Sequence, residues 1–565
     1  MNDKYDSREL NHLGLVSGMC DELGIVSIID NLIKQDTEQR NVTVGECVKA
    51  LILNGLGFSQ RRIYLTPDFF KDKPTELLLG ENIKAEHLNG TVLSRALDKV
   101  YDFGINTLFQ RISVNACKVI GLASGIAHID STSFHVDGIY NSQNPPPQDS
   151  EEILITKGYS RDHHPNLNQV MLNLIVENKA GIPLQMQALS GNSSDNTEFR
   201  EMITKHIENL KSEQGIEYIT GDSALYTEQN LKEISSLTNW ISRVPETINQ
   251  AKETIGCISK DAMHDINENY KYCPLCSKYA GVKQRWILIW SAEAFQRELK
   301  TLNKNFALKG EKEIKKFDKL CNLGFACIED AQIAFEEFNQ KCKFIDIDNF
   351  TTIEEFKYQG KGRPRKDAKP TKKVYKISGT CSSSIENYNQ MKSCKGKFII
   401  ATNELDPEKL SDIELFQTYK DQNKVERGFR FLKDPQFLAS TIFVKSPHRI
   451  QVILMIMTLC LMVYAALEYK LREGLKKSNL KVPNQKKKLI VNPTMRWVFN
   501  LFRGIHILNI VQVNKTTSMN LEQVNKTASM NLEKVHKTVC MNLDKVHFNI
   551  LNIMGEKYKK YYLLI

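Results

Sequence analysis

Between Val452 and Leu467 the chain runs through sixteen residues, VILMIMTLCLMVYAAL, without a single charge. A helix that is apolar on every side has no face to offer water, so any fold for this chain must either wrap the segment or place it in lipid. Spanning hydrocarbon takes roughly 18–20 residues, and this run is shorter. His448, Arg449 and Gln451 stand just before it, Glu468, Lys470 and Arg472 just after, and no second run of this kind occurs. The expectation is the central helix of a folded core, with a membrane helix as the alternative.

Composition agrees. A chain of 565 residues has room for about three or four units of roughly 150 residues, each able to bury a core. With 41% hydrophobic and 25% charged residues, disorder, collagen and multi-span membrane classes are excluded. The net charge of +10 points weakly to a polyanionic partner. Thirteen scattered cysteines, behind an N-terminus (MNDKYDSREL) without a secretory pattern, imply reduced thiols and a cytoplasmic location.

Residues 1–115 carry apolar residues at helical spacing (Leu13–Val16, Ile25–Ile33, Val48–Leu56) and read as a helical domain for DNA binding or dimerisation. From Ile126 the texture changes. IAHIDST, NQVMLNLIVE and GIPLQMQALSG read as strands, Asp195–Leu210 as a helix, EYITGDSAL as a strand, TEQNLKEI as a helix and WISRVP as a strand. Residues 246–390 interrupt this pattern, which resumes at GKFIIATN, followed by helices at Leu410–Lys433 and 450–468. The reading is one mixed α/β domain in two pieces, 120–245 and 391–475, split by a long insertion. A basic tail, 476–565, contains VNKTTSMNLEQ, VNKTASMNLEK and VHKTVCMNLDK in tandem, a period of eleven. Eleven residues make three helical turns, so the tail is expected as one polar helix or a loose duplicated segment.

Three carboxylates organise the chemistry. Asp130 lies in HIDST and Asp222 in ITGDSAL, each on a strand of the same sheet; singly, either reads equally as a turn-former. The segment TYKDQNKVERGFRFLKDP sharpens the case. At about 100° per residue, Tyr419, Gln422, Glu426, Arg430 and Lys433 fall on one stripe about 80° wide, with Val425, Phe429 and Leu432 on an adjacent apolar face. Such a helix can offer Glu426 to a metal while Arg430 and Lys433 meet phosphates. Three hard oxygen donors suit two Mg²⁺ ions, with Mn²⁺ able to substitute, in two-metal phosphoryl transfer.

At these residues the sequence resembles the DDE transposases of prokaryotic insertion sequences, in the group marked by a Y-x2-R-x3-E-x6-K signature. Tyr419, Glu426 and Lys433 fit that spacing; Gln422 stands where the group has Arg. Asp130 and Asp222 match the first two acids by context, and LGLVSGMCDELGIVSIIDNLI looks like the opening domain of a subgroup with a long insertion before the last Glu. The resemblance covers roughly 10–470. It implies an RNase H-like catalytic core holding two Mg²⁺ on Asp130, Asp222 and Glu426. It further implies cutting of terminal inverted repeats in double-stranded DNA, joining of the 3′-OH to target DNA, a homodimer in the DNA complex and association with the nucleoid. Two other readings stay open: a nuclease without strand transfer, and a decayed element protein that only binds DNA.

Weaker signals remain. QGKGRPRKDAKPTKKVYK (Gln359–Lys376) centres on Gly362-Arg363-Pro364-Arg365; it resembles an AT-hook, with Arg363 and Arg365 entering a minor groove, and reads equally as a solvated linker. Cys273 and Cys276 have half of a zinc ribbon's spacing but no second pair, which favours free thiols. His163-His164 precede a strand of the sheet and read as surface histidines more readily than catalytic ones, and GNSSDN (191–196) reads as a turn and helix cap.

Overall fold

The computed structural model describes residues 2–35, 40–58, 63–136, 140, 152–160, 164–358, 369, 371–434, 446–513 and 534–564. The chain forms two compact units, residues 1–242 with 417–565, and residues 243–416.

The first unit is built around the apolar run. It lies in a helix, Pro447–Lys477, whose residues from Ile450 to Val463 are all buried. The helices Leu13–Glu22, Val44–Leu56, Gly90–Phe103 and Ile105–Ile120 pack on it, so the segment is wrapped by protein. The N-terminal region is helical as expected, except that it opens with a strand, β1 (Asn2–Glu9).

The sheet of this unit contains β2 (Ile126–Val136), β3 (Asn168–Glu177), β4 (Pro183–Ser190), β5 (Tyr218–Gly221) and β6 (Asn239–Arg243), in the order β4-β3-β2-β5-β6. The first three form an antiparallel meander, while β5 runs parallel to β2 and β6 parallel to β5. Short β5 and β6 can run parallel because the helices Asp195–Gln214 and Glu228–Ile234 make the crossovers. A three-strand meander extended by parallel strands on its first member is the arrangement of an RNase H-like core.

The tail departs from expectation. The third repeat copy is a strand, Lys534–Met541, antiparallel to His506–Val513, which in turn pairs with β1. Val539, where the other copies have Thr517 and Ala528, gives this copy an apolar β-branched residue that suits a ladder, and Thr538 Oγ1 donates to Asn509 Oδ1 across it (3.0 Å). Residues 514–533, most of the first two copies, lie outside the described residues.

The chain's last turns close on its first helix. An added Cβ at Gly14 would stand 2.6 Å from the Tyr562 ring and one at Gly18 2.6 Å from Tyr558, so these glycines are the groove in which both rings lie. Around them Tyr561 donates to Asp21, Tyr558 to Glu22, and the buried Lys49 ammonium pairs with Asp21 at 2.7 Å. Those hydrogen bonds satisfy groups that would otherwise cost dearly to bury.

In the second unit, Lys397–Thr402, Val282–Ser291, Tyr270–Tyr279 and His264–Asn267 pair antiparallel in that order. The helices Ala292–Cys321 and Ile328–Asn339 and the hairpin Ile345–Lys357/Lys372–Ser383 share a small core of Phe317, Ala331 and Ile377. The insertion is thus mixed, and the GKFIIATN strand belongs with it by packing.

Replacing Gly18 with valine fills the Tyr558 groove. The variant is expected to lose about 1–3 kcal/mol, the usual cost of overpacking, read as a lower thermal midpoint. An unchanged midpoint would show that the terminal tyrosines are not seated there.

Candidate active site

The register of β2 on β5 decides where the first two acids stand. Ile126 faces Tyr218, Ala127 faces Ile219 and His128 faces Thr220, a constant offset of 92 residues. The same offset separates Asp130 from Asp222. The paired stretch ends at His128 and Thr220, and each aspartate follows two residues later on its own chain segment. Asp222 follows the last residue of β5 and is fixed by its turn: its Oδ1 accepts from the Ala224 N–H (2.9 Å) and its carbonyl from Ser242 Oγ (2.7 Å). Asp130 Oδ1 accepts from the Ser131 N–H (2.7 Å).

The helix Asn423–Leu432 lies along the Asp130 face of β2. At its start Lys424 Nζ donates to the carbonyl of Asn178, whose side chain accepts from His128 Nε2 (2.8 Å). At its end the Lys433 ammonium sits 5.9 Å from the centre of the Phe134 ring. His128, Asp130 and Phe134 share one side of the strand by their even spacing. The helix is thus pinned on both sides of Asp130, with Glu426 exposed in its first turn and Arg430 exposed in its last. Val425, Phe429 and Leu432 are buried, and Gly428 lets the helix approach, since a Cβ there would meet Leu461 at 3.1 Å.

One helical segment ends at Asp421 and the next begins at Asn423, with Gln422 between them in helical dihedrals (φ −53°, ψ −26°). Its carbonyl accepts from the Val425 N–H (3.0 Å) and the residue is 9% exposed. Tyr419 and Lys433 are half-buried.

Among the described residues no three Asp, Glu, His or Cys side chains stand close enough to form a ready cation cage. The donor set itself, all hard oxygen, fits Mg²⁺ or Mn²⁺.

The other candidates disperse. Ser131, on the opposite face, donates to Asp195 Oδ1 (2.6 Å) at the start of the Asp195–Gln214 helix, a contact that sequence reading missed. His164 packs edge-on against His135, also on the face away from Asp130. His163, Arg363 and Arg365 lie outside the described residues. Cys273 and Cys276 are three apart on one strand and so point to opposite faces.

Burial lowers the pKa of His128, beneath the site, from 6.5 to about 4, and burial lowers His12 and His206 likewise to about 4. Between those limits the unfolded chain binds these protons and the folded one does not. Stability is therefore intact above pH 6.5 and lost as pH falls towards 4. His128→Gln is expected to lose about 1–2 kcal/mol less than wild type between pH 7 and pH 5 in urea unfolding. Equal losses would show that His128 titrates normally in the folded protein.

A family model described as "Transposase DDE domain" matches residues 123–463, and one described as "Domain of unknown function (DUF4277)" matches residues 5–114. No curated protein matches the chain. Among solved structures, piggyBac transposase in a synaptic complex with hairpin DNA is similar at 9% identity and a TM-score of 0.36, over 88% of this chain and 82% of that one.

Proposed function

Since the chain belongs to the DDE transposase family, we propose that it cuts the ends of its own mobile element and joins the exposed 3′-OH to target DNA. The observation that supports this reading is the parallel pairing of β2 with β5, the two strands that lead into Asp130 and Asp222 at the same 92-residue offset. Asp130, Asp222 and Glu426 would hold two Mg²⁺, with Mn²⁺ able to replace them. Such ions supply activation of an attacking oxygen and stabilisation of a leaving one. Arg430, exposed one turn beyond Glu426, meets a phosphate of the scissile strand. Lys433, held over Phe134, and Tyr419 orient the strand beside it. Gln422, at the head of this helix, completes the row of side chains that meet the DNA strand. Arg363 and Arg365 add minor-groove contacts. Double-stranded DNA, as element ends and as target, is the partner, and a homodimer pairs the two ends.

The test is purified protein with duplex DNA carrying the flanking ends of its own gene, with Mg²⁺ or with EDTA. Metal-dependent cuts at the end boundary, followed by joining to a second duplex, are expected. Cutting without joining would select the nuclease reading, and binding without cutting in Mg²⁺ or Mn²⁺ would select the decayed one. Glu426→Gln should bind ends as wild type does and cut at least about 100-fold more slowly, matching several kcal/mol of lost transition-state stabilisation. Cutting at the wild-type rate would remove Glu426 from the site.

A further inference from the structure

A second basic site lies in the N-terminal helical region. A cavity of about 410 Å³ is lined by Arg40, His87, Arg95 and Lys99, with Glu86 as its one acidic lining residue. The four come from three separate pieces of chain: the segment before the Val44–Leu56 helix, the turn Ala85–Leu88, and the helix Gly90–Phe103. Arg95 and Lys99 stand one turn apart on that helix and point to the same side.

Among the described residues, neither Arg40, Arg95 nor Lys99 makes an ion pair. The contrast on the same helix is informative. Asp98 is taken by Arg449, whose Nε and Nη2 donate to its two oxygens at 2.7 and 2.8 Å, and this bond fastens the helix to the central one. Asp98, next to Lys99 in the helix, is thus committed elsewhere. His87 Nδ1 accepts from the Lys84 N–H (3.2 Å), which leaves its Nε2 to donate outward. Three cations against Glu86 leave the described lining net positive, and a bound anion relieves their mutual repulsion.

We propose that this cavity clamps the phosphate backbone of duplex DNA, through Arg95 and Lys99 from the helix and Arg40 from the facing segment. The inference rests on the reading that the chain acts on DNA, and gives its N-terminal region a defined contact. A nucleotide pocket would need a platform for the base; here the apolar lining is only Val42 and Val92, and no Phe, Tyr or Trp contributes. Phosphate contact without base contact positions DNA and carries no sequence information.

The full-length double variant Arg95→Gln with Lys99→Gln tests this, because glutamine keeps helix propensity at both positions. Binding to element-end and unrelated duplexes is measured from 50 to 300 mM NaCl, beside wild type. Each lost phosphate contact lowers the slope of log K against log[salt] by about 0.9. The double variant is therefore expected to show a slope shallower by about 2, equally on both duplexes, with an unchanged circular dichroism spectrum. An unchanged slope in a variant of a wild type that cuts its ends overturns the clamp and leaves the transposase reading standing. Loss of binding to element ends alone overturns it in favour of base readout. Calorimetric binding of inorganic phosphate by wild type, abolished in the variant while the DNA slope stays the same, overturns it in favour of a small-anion site. A wild type that neither binds nor cuts DNA removes the reading on which the clamp rests.

Discussion

Burial of the Val452–Leu467 helix is the constraint on which the rest of the first unit depends. Each fully buried Leu, Ile, Val or Met side chain along it contributes about 1.5–3 kcal/mol relative to exposure, and the helix buries such residues on all sides. Helices of the N-terminal region cover it on one side, and β4 and the helix bearing Glu426 on others. Leu461 lies under Gly428, and Tyr464 packs on Phe431 with ring centres 4.5 Å apart. The position of Glu426 over the sheet is therefore set by a core helix that the N-terminal region itself encloses. Removing the N-terminal helices would expose this surface, and so the N-terminal region and the sheet form one folding unit.

The second constraint is ladder register. A slip of one residue in a strand turns every side chain to the opposite face. On β2 it would send Asp130 towards the Asp195–Gln214 helix and bring Ser131 to the Lys424–Lys433 side. The alternation of faces separates Asp130 on one side from Ser131, bonded to Asp195, on the other. Buried apolar neighbours on β3, such as Leu172 and Leu174, oppose that slip because it would exchange their surroundings as well.

Much of this was legible in the sequence wherever the signal was local. The strand expected from NQVMLNLIVE has the observed bounds Asn168–Glu177, and the apolar run is the core helix its composition demanded. The burial of Gln422 was not legible, because the wheel places it among polar residues and what covers it comes from the fold. Nor was the pairing of β1 with His506–Val513, whose partners lie some five hundred residues apart and which leaves no local pattern. The repeat misled because a period of eleven fits helical turns, while Val539 suits the ladder it forms opposite Leu508. The basic cavity escaped notice since Arg40, His87, Arg95 and Lys99 form no run in the chain and meet only after folding.

The central claim, that carboxylates on β2, β5 and the Glu426 helix act together through bound ions, is tested most directly by a change of metal preference. A thiolate is a poor ligand for Mg²⁺ and a better one for Mn²⁺. Asp222→Cys would be assayed for cutting of element ends with each ion beside wild type. The account predicts no cutting with Mg²⁺ and recovery with Mn²⁺, while wild type cuts with both. Cutting by the variant at the wild-type rate in Mg²⁺ would contradict it.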